Sequence, residues 1–563
     1  MRKGLLYFAL GVMVAVFASA QTRNAASRKV KHYTGPLAAG AMTAMHDVKD
    51  EHIKADIRFL SSDQLEGRGT GARGGDIAAR YISNQFELAG LKPLGGKGGY
   101  LQQVPMVGIT TEPESSLTLK TPTESMNLKQ LDECVIMDET QKPVSDISAD
   151  VVFVGYGITA PEYQWDDYAG TDVKGKVLLM LVNEPPSDDQ SFFQGKALTY
   201  YGRWTYKYGH AAKLGAAGVI LIHKTEMASY GWDVVRSSWS GERSYLRGNQ
   251  EPKLSLASWV QLEVARKVLA NSGKNIDELM QAAQQKGFKA VPLPIKVQAH
   301  MVNKVRPFDS NNVIGEVEGT DPKLKNEAVV ISAHYDHLGV RPDMKGDNIY
   351  NGALDNASGT AMLMEMARAA ASAPVKPKRS IIFAAVTGEE QGLLGSEYLG
   401  KNPPIPDGNI SLNLNFDSVA PMGIPKEVSA GGYERTSFAP IFEKTAADFG
   451  MSIQPPAHPE SGGYYRSDHF SFARVGVPAF SVNTGGRFDG HPEEWIKERQ
   501  KKNTTNYHQP SDEFEEDGDY RTDAVMARFG LALAWQAADL PQLVQWRHGD
   551  EFEPVRKEQE GQQ

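Results

Sequence analysis

A single cysteine, Cys134, serves all 563 residues. An internal disulfide and a cysteine-built zinc site both need more than one, so both are excluded. Stability must then come from a large core and from whatever ions the chain binds. Positive charge is in deficit as well. Sixty Lys and Arg stand against 69 Asp and Glu, giving a formal charge of −9 and a pI near 5.9. That balance offers no general attraction for nucleic acid or for an anionic membrane. Beyond residue 20 no apolar run is long enough to span a bilayer, and no internal repeat marks a solenoid or propeller. Glycine, by contrast, is plentiful at 54 residues, as many turns and tight strand-to-helix connections would require.

A chain of this length exceeds one ordinary core and predicts two or three domains. Residues 1–20 read as a secretory signal: Arg2 and Lys3, an apolar stretch from Gly4 to Ala18, and a small-residue cleavage site at Ala18-Ser19-Ala20. Export to a periplasm or to the exterior follows. No cysteine follows the cleavage site to carry a lipid, so no membrane attachment is expected after signal removal. Residues 21–45 are polar or small and read as a flexible leader. Residues 46–145 open the larger domain with two helical patterns. The glycines between them, Gly69, Gly71 and Gly74, have the spacing of a dinucleotide fingerprint. A helical pattern precedes them where a strand is needed, so they read as a loop between helices. From 146 to 300 short β runs (DVVFVGYGI, KVLLMLVN, GVILIHK) alternate with loops rich in Tyr, Trp and Gly, which predicts a smaller inserted α+β domain. The larger domain resumes over 301–545. Residues 546–563 are charged and apolar-poor, and read as a frayed tail.

The runs AVVISAH, SIIFAAVTGEE and ISLNLNFD read as buried strands of a mostly parallel central sheet flanked by helices, an α/β fold. Functional groups in such sheets gather at the carboxyl ends of the strands. There the chain places His334, Glu389, Glu390 and Asp417, with Asp355 between the first two strands. Four acids and a histidine on one sheet edge repel and desolvate each other unless a cation sits among them. Two divalent metals are the simplest such cation, and a metallohydrolase is the implied class. Asp336, two residues past His334, points the same way along an extended chain and is expected to fix its tautomer. Asp355 precedes the helical stretch SGTAMLMEMARAAAS. There a carboxylate can cap the helix and still bridge two metals. Of the adjacent Glu389 and Glu390, one can ligate metal while the other takes a proton from bound water. A further nitrogen ligand is needed. His508, in NYHQPSDEF, leads; His469 and His491 are rivals, and His337 faces away from His334 by its odd offset.

Together these residues resemble the M28 family of zinc peptidases, the co-catalytic di-zinc aminopeptidases. The likeness runs through HYDHLG, GALDNASGTAMLMEMAR, TGEEQGLLGSEYL, NFDSV, RSDHFSFARVGVPAF and YHQPSDEF. The stretch LSSDQLEGRGTGARGGDIAARYISNQFELAGLKP is similar to the family's opening helices. The insert resembles a protease-associated (PA) domain through VGYGI, DYAGTDVKGKVLLML and KLGAAGVILI. The resemblance implies a zinc-exopeptidase fold of the phosphorylase/hydrolase-like kind. It also implies two Zn2+ per chain, one held by His334 and Asp417, the other by Glu390 and His508, with Asp355 bridging. Glu389 would be the general base, Asp336 the supporting partner of His334, and Tyr464 or Tyr465 a donor to the oxyanion. Peptides are the implied substrates, with aminopeptidase action the leading expectation. A carboxypeptidase or dipeptidase would instead hold a carboxylate, for which Arg341, Arg466 and Arg487 are candidates. Glutaminyl cyclisation and a catalytically silent binding role are argued against by the complete ligand set. The insert is expected to act as a lid or packing element, its aromatic loops (Tyr200, Tyr201, Trp204, Tyr206) reaching toward the cleft. A homodimer is compatible with this organisation.

Overall fold

The computed structural model describes residues 33–342, 344–456 and 458–561. The signal segment and the first part of the leader lie outside them. The sheet that carries the expected site contains β1 (Leu101–Thr111), β2 (Val291–Val317), β3 (Ala328–His334), β4 (Ser380–Val386), β5 (Ile410–Asn415), β6 (Glu427–Gly431) and β7 (Ala479–Thr484). Their spatial order is β1–β2–β4–β3–β5–β7–β6. The inner four, β4, β3, β5 and β7, run parallel, and β1, β2 and β6 pair antiparallel at the margins. The expected α/β architecture with a mostly parallel centre is what the chain adopts.

Helices cover both faces of this sheet, so its inner strands are buried on both sides and read as unbroken apolar runs. Along β3 the two faces alternate with the strand period. Val329, Ile331 and Ala333 join one core, and Ala328 and Val330 the other. The first core is closed by α1 (Ala39–Asp47), α2 (Asp50–Leu60), α3 (Arg73–Ala89), α4 (Ser358–Ser372) and α5 (Arg521–Asp539). The second is closed by the short helices Leu394–Lys401 and His469–Arg474 together with Trp546 and Phe552. The chain leaves β3 through α4 to β4 on one side, then crosses to β5 on the other. A crevice opens at such a reversal, at the carboxyl end of β3.

The insert has its own cores, assembled from residues 117–301. It therefore begins about thirty residues before the expected 146, because the strands Ser116–Lys120 and Cys134–Met137 pair inside it rather than in the larger domain. Cys134 is fully buried there, and burial pushes its thiol up to about 12, keeping it protonated and inert. The link between the two units is β2 itself. Its first half pairs with Val144–Phe153 in the insert, its middle with β1 and its last residues with β4. One continuous strand carries the insert rather than a flexible linker.

Two segments read as mobile are ordered. Residues 39–45 of the expected leader lie in α1, whose Ala41, Ala44 and Met45 are fully buried. Their small side chains serve close packing: a Cβ on Gly40 would lie 2.1 Å from the Val375 carbonyl and 2.8 Å from the Trp535 ring. The expected tail also folds, with helix Glu553–Gly561, buried Phe552 and Arg556, and an Arg435–Asp550 ion pair of 2.7 Å. Charge patterning alone concealed those anchors. Met45→Ala is expected to cost about 2–5 kcal/mol, as other core methionine truncations do. An unshifted urea midpoint would return residues 39–45 to a dispensable leader.

Candidate metal centre

His334 is the last residue of β3. Its register partner on β4 is Val386, and Ser332 stands level with Asn415 of β5. The loops leaving β4 and β5 therefore emerge beside His334, bringing Glu389, Glu390 and Asp417 to one place. Asp355 arrives from the turn before α4. There Asn356 accepts from the Gly359 and Ser418 N–H groups and donates to the Phe416 carbonyl, tying that turn to the Asp417 loop. Thr360 of α4 donates to the His334 carbonyl at 2.7 Å. His508 follows helix Glu493–Asn506 in a left-handed conformation, φ 56°, which only a small share of non-glycine residues adopt.

The side chains converge on Asp355. Its Oδ1 lies 3.3 Å from His334 Nε2, which is also 3.3 Å from Asp417 Oδ1. Its Oδ2 lies 3.1 Å from His508 Nε2, which is 3.3 Å from Glu390 Oε2. Two groups of donor atoms, His334/Asp355/Asp417 and His337/Asp355/Glu390, each fall within a 4.8 Å span. Nitrogen plus carboxylate oxygen, largely buried, is the donor chemistry that zinc accepts. Among the described residues no lysine or arginine pairs with these acids; only imidazoles face them. The residues present fit a pair of divalent ions.

Charge is divided unevenly across the cluster. Burial disfavours protonated His334 and His508, but the surrounding carboxylates win, raising the first well above the imidazole range and the second to about 10. Burial and Asp355 work against ionised Glu390, yet His337 and His508 hold it down to about 2. Asp355 is likewise held well below the carboxylate range against the effect of burial, by bonds to His334 and His508. Glu389 is driven the other way. Burial raises it strongly, Glu390, Asp417 and Asp468 add to the rise, and only His334 opposes. The two adjacent acids are thus pushed in opposite directions.

Several expectations need correction. Asp336 does not hold His334 through its carboxylate, which lies 3.8 Å away; its backbone carbonyl is 3.2 Å from Nδ1 instead. The carboxylate accepts from Thr70 Oγ1 at 2.9 Å and from the Glu389 N–H at 3.2 Å. The two-residue alternation fails because β3 ends at His334. For the same reason His337 does not point away: its Nδ1 meets Glu390 Oε1 at 2.6 Å. Tyr464 donates to the Ala479 carbonyl at 3.0 Å and Tyr465 to Glu551 at 2.8 Å, so both expected oxyanion hydroxyls are committed elsewhere. Of the rivals to His508, His491 pairs with Asp519 at 2.8 Å and His469 is buried with neither ring nitrogen partnered.

Other residues escaped the sequence reading. Asp512 accepts the Leu354 and Asp355 N–H groups at 2.9 and 3.0 Å, fixing the shared carboxylate's backbone. Its place four residues after His508 in a Pro-bearing loop was the available signal. Arg68, fully buried and itself left-handed, donates to the carbonyls of Leu60, Tyr335, Asn351 and Gly352 at 2.6–2.8 Å. It clamps both ligand-bearing loops to α2. Tyr507 stacks on His508 with centroids 3.9 Å apart. The insert also reaches the site: Leu198 N–H donates to the Pro459 carbonyl at 3.1 Å, and Tyr200 packs on Phe470 at 5.0 Å. Two cavities open around the cluster. One of about 480 Å³ is lined by Asp355, Asp417 and Leu198. The other, of about 830 Å³, is lined by Glu390, His508 and Trp204. Glu389 and Tyr507 line both.

Residues 312–533 match the model of peptidase family M28, a span that includes every residue of the cluster. A probable zinc metalloprotease of Pyrenophora teres f. teres is 26% identical over 56% of this chain and 65% of its own length. Leupeptin-inactivating enzyme 1 of Streptomyces exfoliatus is 30% identical over 40% of this chain and 46% of its own. The chain thus spans less than two thirds of these relatives. Among solved structures, an aminopeptidase from Aneurinibacillus sp. strain AM-1 shares the fold with a TM-score of 0.51. It is 21% identical, over 89% of this chain and 97% of that one.

Asp512→Ala is expected to weaken zinc binding about 10- to 100-fold, the usual effect of losing a group that orients a ligand. Chelator competition on the folded variant measures it, and unchanged affinity would remove Asp512 from the support of Asp355.

Proposed function

We propose that this protein is an exported, zinc-dependent exopeptidase of the M28 type that releases N-terminal residues from peptides. The observation that carries the reading is Asp355, which offers one oxygen to each of two imidazole–carboxylate groups while Glu389 stands beside both. His334 and Asp417 would hold one zinc, Glu390 and His508 a second, with Asp355 between them. When bound, the zinc pair polarises a peptide carbonyl and makes water acidic enough to be deprotonated at neutral pH.

The chain's own groups do the rest. Glu389 takes the water's proton and later delivers it to the leaving amine, a task for a carboxyl that lines both cavities at the cluster. Asp336 steadies Glu389 through its backbone N–H. His337 holds Glu390 in its ligating orientation. Acidic side chains such as Glu389 and Glu390 along the cleft suit a free α-amine, which supports aminopeptidase action. The insert, read as a PA-type module, serves as a lid, supported by the Leu198–Pro459 bond beside the cluster. Export rests on the pattern of residues 1–20. Among the described residues no helix is long and apolar enough to cross a membrane.

A carboxypeptidase or dipeptidase reading has one observation in its favour: Arg466 lines the cleft, whereas Arg487 is bound to Glu427 at 2.6 Å and Arg341 lies over the Tyr350 ring. Blocked substrates separate the two. An aminopeptidase cleaves C-terminally amidated peptides and refuses N-acetylated ones; the opposite pattern reverses the polarity. Glu389→Gln is expected to retain zinc by elemental analysis and to lose about 10²–10⁴-fold in kcat on an aminoacyl p-nitroanilide. Turnover close to the parent's would remove Glu389 from the role of base.

A further inference from the structure

The smaller cavity beside the cluster has a polar floor, and the sheet register explains it. In β7, Ser481 stands level with Asn415 of β5, two residues before Asp417, so the floor begins next to that carboxylate. β6 pairs antiparallel with β7, Ser429 opposite Asn483 and Gly431 opposite Ser481. Alternation along both strands sends Val428, Ala430, Phe480 and Val482 into the buried core and turns Ser429, Ser481 and Asn483 to the other face. These three line the cavity of about 480 Å³ together with Asp355, Glu389 and Asp417. Gln194, from the insert, lines it too. Among the described residues, none of these four polar side chains has a hydrogen-bond partner in the protein. The insert bounds the same space with Leu198, whose N–H donates to the Pro459 carbonyl at 3.1 Å. Gly462 permits that approach. A Cβ there would lie 2.7 Å from the Leu198 side chain, and its φ of 63° is one that glycine takes without strain.

An enzyme that releases one residue at a time must hold a single side chain and let the remaining peptide leave. The cavity of about 480 Å³, between the sheet and Leu198, suits the residue released; the one of about 830 Å³ has room for the rest. An apolar side chain laid over the floor would strip water from its hydroxyl and amide groups and return no hydrogen bond. An amide or hydroxyl restores what the water gave. An acidic side chain is opposed by Asp355, Glu389 and Asp417. We propose that Ser429, Ser481 and Asn483, with Gln194 from the insert, form the specificity subsite for the N-terminal residue. It selects uncharged hydrogen-bonding side chains, asparagine and glutamine above their apolar near-isosteres leucine and methionine. The inference rests on the aminopeptidase reading above and narrows its substrate class.

The test measures kcat/KM of the zinc-loaded protein on X-Ala amides in matched pairs, Asn against Leu and Gln against Met, with Lys alongside. The polar member of each pair is expected to be favoured about tenfold, the worth of roughly two hydrogen bonds that an apolar side chain leaves unmade. Asn483→Leu and Ser481→Ala are expected to bring the Asn/Leu ratio to unity or below. Because each ratio is taken within one protein, a loss of folded or zinc-loaded molecules cancels. Preference for Leu and Met, or ratios that neither substitution moves, would overturn the subsite. So would preference for Lys over Gln, which would give the cavity to Glu434, an exposed acid that also lines it. The same peptides are titrated calorimetrically into zinc-loaded Glu389→Gln protein, so that affinity is read without turnover. Turnover with no polar preference sinks the subsite and leaves the peptidase reading standing. No turnover, with Asn and Gln still bound about tenfold tighter than Leu and Met, does the reverse. Absence of binding by every peptide overturns the subsite as well.

Discussion

Asp355 is the group on which the rest of the site depends. One carboxylate faces His334 with one oxygen and His508 with the other, and neither histidine is near it in sequence. Holding a negative charge at that depth is expensive unless its geometry is fixed and cations share it. The protein meets the first condition with backbone anchors. Asp512 grips the amides of Leu354 and Asp355, Asn356 ties the turn to the loop after β5, and Arg68 grips the carbonyls of Gly352 and Tyr335. The second condition is what the surrounding imidazoles and the proposed zinc ions satisfy. Much of the larger domain can be understood as the frame that keeps this carboxylate still. The parallel strands deliver the ligands, α4 secures the His334 carbonyl, and α1 to α3 back the sheet.

The insert adds a different constraint. Because β2 passes unbroken from one sheet to the other, the insert is positioned by strand pairing rather than by a hinge of loose residues. Its loop of residues 194–203 then has a defined place against residues 459–470, where Leu198, Tyr200 and Arg203 meet the larger domain. The cleft acquires two walls of different character. One carries the acids and imidazoles of the candidate metal centre; the other is aromatic.

Much of this was legible along the chain. AVVISAH and SIIFAAV announce strands buried on both faces, and an acid or histidine directly after such a strand has few reasons to be there other than function. His334, Asp355, Glu389, Glu390, Asp417 and His508 are accordingly found together. Reading failed where local rules ran past the element that justified them. Asp336 and His337 were assigned directions by strand alternation, but β3 stops at His334, and both side chains turn to other partners. The small residues of 39–45 and the charges of 546–563 suggested mobility by composition, yet Gly40 and Ala44 permit close helix packing and Arg435 anchors the C-terminal segment. Tyr464 and Tyr465 carried the right hydroxyl but spend it on Ala479 and Glu551.

Hydrophobic periodicity and the chemistry of the strand ends were enough to read the α/β class and the kinds of side chain that gather at the candidate site. Those are local properties, written into neighbouring residues. Only the folded chain could decide that Asp355 serves both histidines, that Arg68 and Asp512 hold it there, and that the insert's Leu198 meets Pro459 beside the cluster. Each of these joins residues far apart in sequence, and such contacts depend on strand order, crossing loops and close approach at glycines such as Gly462.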